Sequence, residues 1–591
     1  MRYLNIFLLG SVFFAYPFFL FFPSSHNSYL SFIQLTNSAF LALISISIII
    51  LLPEKVLSVF SQKLFLFCLS LIFLVCAIHF FLFDAYRFEH FMDNVFIIAF
   101  PLAIMLNAEF FKKHLAGFMT LFWLVDAVNF LYWRADIGIA GNVNWHASLI
   151  LSATPFAVYF IYKHLFSRTG SMFFPILIPL LVVCQSLYML ARCHSRGAWL
   201  SIYTVILCCL ILFFPNYRRK IVIGVSGLVV VLLGLFILRS DIFGDIIYND
   251  VRVPLMNASV NLIEKHPWMG VGVQRFEGVF ACFREINYFL RSDYYAVRSN
   301  HPHNQFLYFA ASLGIPAFVA WLLLIFVPLW RIVSEIRKKD VVVILCIVSL
   351  LLILIHSMFD LVLFVWPTMF FFYLFLGIIW SEYYAAEKSA KMPLFSWYKH
   401  FKYAMISGCC LVLGFFIYNN VKYSMNIRDA FGTQVTGEAG LTVSYLDKAL
   451  KYKKDPVEAC RGGLVSLLAE NDSYLAMKFL RKMEDCPTSS VGHSNSYLAA
   501  CLLKRGRKVE ALEYLNREVK YFPISVVALY NKMRLENELN LVSDAEKTAG
   551  QLVMALKFKN FEMSDIPELC ANPHYDDRFH EFKLKGRDKV Q

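Results

Sequence analysis

Five separated stretches of this 591-residue chain hold side chains able to bind an anion or move a proton. "GNVNWHA" (141–147) carries Asn142 and Asn144, "ARCHSRGAWL" (191–200) carries Arg196, and "YNDVRVPLMNASV" (248–260) carries Arg252. "SNHPHNQFLYF" (299–309) brings His301, His303 and Asn304 directly before a long apolar run, and "LIHSMFDLVLF" (354–364) holds His356 and Asp360. Guanidinium forks match phosphate oxygens, and a histidine can take a proton from a hydroxyl near neutral pH. If these groups meet, they suit attack of an acceptor hydroxyl on a sugar linked to a lipid diphosphate, with arginines stabilising the departing diphosphate. These groups include no DxD pair or carboxylate cluster, so the expected transfer needs no metal and no cofactor.

Each residue also has a plainer reading. Arg196 can snorkel to lipid headgroups, and Arg252 can be a solvated loop charge. Asn142 and Asn144 can cap the following helix. His356 and Asp360, four apart on an expected helix, can form a hydrogen bond within a bundle, as can Asp126. The case rests on all of them arriving at one membrane face.

That requirement leads to the elements. The chain is 59% hydrophobic and only 16% charged, too little charge to wet the surface of a soluble protein of this size. Apolar runs long enough to cross a bilayer recur near 4–22, 31–52, 63–83, 91–107, 116–133, 146–163, 172–191, 198–214, 220–238, 305–330, 341–363, 366–382 and 402–418. The first, with no small-residue cleavage site after it, is expected to stay in the protein. The net charge of +13 comes from lysines and arginines in alternate loops (Lys112 and Lys113, Arg218 to Lys220, Arg337 to Lys339), a membrane pattern and not a nucleic-acid one. The bias of basic residues toward the cytoplasm places the N-terminus inside. The loop at about 239–304 and the region 419–591 then lie outside, in the periplasm of a bacterial inner membrane, and the five stretches share that side. The fourteen cysteines contain no CxxC pair; Cys460 and Cys486 either pair in an oxidising compartment or stay reduced.

The expected fold is all-α: about 12–13 membrane helices over residues 1–418, then a soluble helical domain over 419–591. In the latter, "YLAACLLKRGRKVEALEYLNREVKYFPIS" (497–525) reads as two amphipathic helices about Arg505-Gly506-Arg507. Gly506, Ala511 and Pro523 resemble positions of a tetratricopeptide-type repeat.

The motifs line up with a known family. "HNQFL" (303–307) followed by "ASLGIPA" (311–317), "HSRGAWL" (194–200), "RVPLMNASVNLIEKHPWMGVGVQRF" (252–276), "GNVNWHA" and "HSMFD" (356–360) together resemble the O-antigen ligase superfamily. That group includes O-antigen ligases, O-antigen polymerases and bacterial O-linked oligosaccharyltransferases. The likeness covers roughly 60 to 385, and Val143 stands where proline is common.

The resemblance implies a GT-C-like membrane architecture in which His303 is the general base and Arg196 and Arg252 bind undecaprenyl diphosphate. Asn304 would orient the histidine or substrate, and Asn144 would line the same cavity. His301 is the competitor for His303; the H-N-x-x-L register selects His303, and Pro302 opposes placing both histidines on one helix. Gly270 and Gly272 would allow a tight turn over the lipid headgroup or simply turn the loop.

The expected partners are an undecaprenyl-diphosphate-linked glycan, membrane lipid and an acceptor, either lipid A core or a protein Ser/Thr. A periplasmic protein partner would bind the helical repeats. A polymerase of the same superfamily is the nearest alternative. A polysaccharide exporter or flippase is more remote, because transporters place polar sites at the membrane midplane. A membrane-anchored repeat scaffold would not need so many spans.

Overall fold

The computed structural model describes residues 42, 44–50, 63–82, 87–133, 142–166, 173–217, 252–272, 276–280, 283, 301–364, 366–384, 398–452, 456–468, 472–481, 494–559 and 561–566. The expected spans 4–22 and 220–238, most of 31–52 and the Cys460–Cys486 pairing lie outside these residues or their described side chains. Among the described residues the chain is helical with no strand. By Cα proximity it divides into two compact units, one of residues 1–82, 87–240 and 302–417, the other of 83–86, 241–301 and 418–591.

The first unit holds α1 (Lys63–Leu82), α2 (Arg87–Leu106), α3 (Ala108–Trp133), α4 (Val143–Phe166), α5 (Phe173–Cys193) and α6 (Arg196–Phe213). The second contributes α7 (Arg252–Lys265) and α8 (Phe276–Phe280); α9 (Gln305–Ser334), α10 (Val341–His356) and α11 (Trp366–Tyr384) return to the first. Among the described residues five helices are long and apolar enough to cross a membrane: α4, α5, α6, α9 and most of α3. With the shorter apolar helices in α1, α2 and α10, they make this an all-α, multi-pass membrane protein. In lipid only helices or closed barrels satisfy every backbone group, which is why apolar runs read so directly as helices.

α10 is the centre of this bundle, packing on α3, α4, α6 and α11. Its Val343, Cys346, Leu350 and Ile353 are completely buried, spaced three or four apart as one helical stripe requires. α9 is kinked: Gly314 takes φ 79° and ψ 165°, two residues before Pro316. Proline lacks the N–H and crowds the carbonyl four residues back, and the glycine absorbs the break. At one end of the bundle Lys112 and Lys339 both close on Glu382, at 2.7 and 3.7 Å, and Arg337 donates to the terminal α6 carbonyls of Leu212 and Phe213. The starts of α4, α6 and α9 and the finish of α10 form the opposite end.

The expected span at 402–418 is the first part of a longer helix, α12 (Tyr398–Val435). After it come α13 (Ala439–Tyr452), α14 (Pro456–Leu468), α15 (Ser473–Arg481), α16 (Ser494–Lys504), α17 (Lys508–Tyr521), α18 (Val526–Glu538) and α19 (Val542–Lys559). Each packs on the next, and α14 also packs on α16. The turns repeat. α16 closes with Arg507 N–H on Leu502 O and Gly506 N–H on Leu503 O, and α18 closes with Leu541 N–H on Glu536 O and Asn540 N–H on Asn537 O. Gly506 and Asn540 sit at the left-handed position of each, φ 73° and 58°, and are 34 residues apart (506 to 540). α12 ends the same way at Gly437, φ 79°. Helices restart two residues after each turn, at Ala439, Lys508 and Val542.

Candidate active site

His303 sits just before α9 with φ 52°, a left-handed conformation uncommon for a residue with a side chain. Next to it, the Asn304 carbonyl oxygen accepts from Leu307 N–H at 3.0 Å, capping α9. The Asn304 amide donates to Met358 O at 3.0 Å, and Gln305 N–H donates to Ser357 O at 2.8 Å. Both ends of the Asn304 side chain are thus spent holding the start of α9 against the turn after α10. Its side chain therefore acts on the backbone beside His303 and not on the ring.

That turn corrects one expectation. His356 and Asp360 do not share a helix face, because α10 ends at His356 and residues 357–359 turn away. The two side chains consequently serve different partners. Asp360, 4% exposed, accepts from His303 Nδ1 through Oδ1 at 3.2 Å, from Asn144 Nδ2 through Oδ2 at 2.5 Å and from Leu361 N–H at 2.7 Å. A buried carboxylate needs such donors, and here they fix both its position and the imidazole's. The His303 side chain keeps 30% of its surface exposed, so this carboxylate-backed ring can be reached.

Asn142 directly precedes α4, and its side-chain oxygen accepts from Asn144 N–H at 2.8 Å. Capping therefore falls to Asn142, leaving the Asn144 amide for Asp360. One turn later Ser148 meets His356 Nδ1 at 2.6 Å. His356, 1% exposed, reaches Ser195 Oγ through Nε2 at 3.2 Å. Ser195 is the N-cap of α6, accepting from Ala198 N–H at 3.4 Å, and Arg196 opens that helix with its side chain exposed. Gly197 explains the spacing: a Cβ there would stand 2.8 Å from His356 Cδ2 and 3.2 Å from Phe359 Cβ. Only glycine lets α6 approach the ring this closely.

Three of these partners, Ser148, Ser195 and His146, are absent from the sequence-level candidates. The i, i+2, i+4 run of Asn144, His146 and Ser148 at the head of an apolar span was the available signal. His146 binds Asp126 Oδ2 through Nε2 at 2.9 Å and lies 3.6 Å from Cys193 Sγ through Nδ1. Asp126 is thus engaged in a buried bond between α3 and α4, the plainer of its readings.

Arg252, Gly270, Gly272 and His301 belong to the second unit. Arg252 is the first residue of α7 and half-buried. The segment after α7 turns with Gly270 N–H on His266 O, and Gly270 and Gly272 take φ 64° and 99°. His301 is buried, 9% exposed. The described residues contain no group of three or more His, Cys, Asp and Glu placed to hold a metal.

The stretch bearing Arg196, Arg252, His303 and Asn304 is also what comparison with known proteins picks out. Residues 180–322 match the O-antigen ligase family. The match supports the O-antigen ligase superfamily and a membrane glycosyltransferase of ligase or polymerase type, acting on a lipid-linked glycan and an acceptor. It runs from the first half of α5 into α9, so Asn144, His356 and Asp360 lie beyond it, although Asp360 meets His303 and His356 meets Ser195 within it. No curated protein matches the chain.

Proposed function

We propose that the chain transfers a glycan from a polyprenyl (undecaprenyl) diphosphate carrier to an acceptor hydroxyl on the outer face of a bacterial inner membrane. The observation that carries this reading is the Asp360–His303 contact, set on a strained residue at the mouth of a bundle. A carboxylate on Nδ1 fixes the ring's tautomer and stabilises the imidazolium, which makes Nε2 the proton acceptor. The acceptor oxygen bonds to the sugar's anomeric carbon as that carbon's bond to the diphosphate breaks. The hydroxyl proton passes to His303, and the polyprenyl diphosphate leaves with the bonding electron pair. Arg196 and Arg252 neutralise the charge that develops on it, with no metal called for.

The acceptor is a lipid A core sugar or a protein Ser/Thr. The 34-residue recurrence of turns after α16 and α18, and the contact of α14 with α16, support a tetratricopeptide-like reading of the periplasmic domain. The concave surface that such repeats build would present a protein acceptor or partner.

His303→Ala should abolish glycan transfer while the protein stays folded and inserted, and His301→Ala should retain it. The reverse pattern would reassign the base, and activity in both would sink the mechanism. In a deletion strain, loss of glycan on lipid A, loss on protein, or shortened chains on the carrier names the acceptor.

A further inference from the structure

The five-residue turn His356–Asp360 touches both halves of the proposed chemistry. Its Ser357 and Met358 carbonyls hold the start of α9, and its Asp360 carboxylate holds the His303 ring. Its first side chain faces the other way. His356 bridges Ser148 on α4 and Ser195 at the head of α6, with Gly197 packed on its edge. The bridge is completely enclosed: His356, Ser148 and Ser195 are each 2% exposed or less. In a neutral imidazole one nitrogen donates and the other accepts, so two serine hydroxyls, able to do either, satisfy it without a charge.

We infer that His356 is a positioning residue for donor binding: through Ser195 it sets the first turn of α6 and thereby aims Arg196 at the diphosphate. The inference rests on the reading of Arg196 as a diphosphate ligand. Physically, a helix start is the most easily displaced part of a helix, since its first N–H groups lack intrahelical partners. Ser195 supplies one such partner, at 3.4 Å, while held by His356. Arg196 is the very next residue and has its guanidinium in the open, so a small rotation of the first turn moves that group by several times more. The His303 arm of the turn uses different atoms, so the two arms are separable by mutation.

Side-chain length provides the test. An asparagine amide overlays histidine Nδ1, and a glutamine amide overlays Nε2. His356→Asn therefore keeps the Ser148 bond and loses Ser195, whereas His356→Gln does the opposite. Full-length variants in lipid nanodiscs are titrated with undecaprenyl diphosphate, with undecaprenyl monophosphate as control. The expected result is weakening on the order of 5-fold for His356→Asn, the loss of one hydrogen bond. Ser195→Ala should follow it, and His356→Gln should restore binding to near the original value. In an Arg196→Ala background, His356→Asn should add nothing, because both changes act through the same guanidinium.

Equal weakening by Asn and Gln would mean a general packing role and overturn the inference, as would unchanged binding in His356→Asn when Arg196→Ala binds weakly. Unchanged binding in Arg196→Ala would remove the diphosphate reading and this inference with it. If His356→Asn fails to fold, Ser195→Ala and its combination with Arg196→Ala decide the same question.

Discussion

Replacing Asp360 by asparagine isolates the charge behind the proposed base. The amide is nearly isosteric, so its oxygen can keep both bonds made by Oδ1, to His303 Nδ1 at 3.2 Å and Leu361 N–H at 2.7 Å. Its NH₂ then meets the Asn144 amide, which can rotate to present oxygen. What is lost is the attraction between a carboxylate and the imidazolium that forms as the acceptor gives up its proton. Over the 3.2 Å separation this is about 5 kcal/mol at an effective dielectric of about 20 and about 1.3 kcal/mol in water. The His303 ring is 30% exposed and its partner nearly buried, so a value between these, about 3 kcal/mol, applies. That corresponds to roughly a 100-fold fall in kcat. In the proposed mechanism the carboxylate acts on the transition state and not on the donor, so the donor KM should stay within about twofold. The assay follows transfer over time from lipid-linked donor in membranes carrying the full-length variant, with thermal unfolding as the control. A folded Asp360→Asn protein with kcat within about threefold of the original would refute the charge argument. A loss expressed mainly in donor KM would move Asp360 from the base to the donor site.

Gly377 lies where α11 crosses α2, and a Cβ there would stand 2.6 Å from Pro101 O and 2.7 Å from Ile104 Cβ. Because a backbone oxygen cannot step aside, Gly377→Ala should cost about 1–3 kcal/mol and lower the thermal midpoint; an unchanged midpoint would show that the crossing is looser than described. Chelation by EDTA should leave transfer intact, and a loss restored by adding a divalent cation would refute the metal-free chemistry.

Much of the bundle was legible because membrane helices announce themselves in composition. The expected span at 172–191 appears as Phe173–Cys193 and that at 198–214 as Arg196–Phe213, since a bilayer demands a run of set length whatever the neighbours do. The site was legible only as residue types. Asn304 and Asn144 look alike in the sequence, yet one spends its side chain on a helix start and Met358 O while the other reaches a carboxylate 216 residues away. His356 and Asp360 read as an i, i+4 pair, and the end of α10 at His356 separated them. No helix-breaking residue marks that end, because "LIHSMFDLVLF" contains no proline or glycine.

By itself, then, the sequence determined that this is a multi-pass helical membrane protein and which residues could carry anion binding and proton transfer. Both follow from local properties, apolar length and side-chain type. The tertiary structure alone decided which polar groups pair: Asp360 with His303, and His356 with Ser148 and Ser195. Those pairings depend on where helices stop and how closely they pack, as at Gly197 against His356. Such distances are set by the whole bundle and appear in no single stretch of chain.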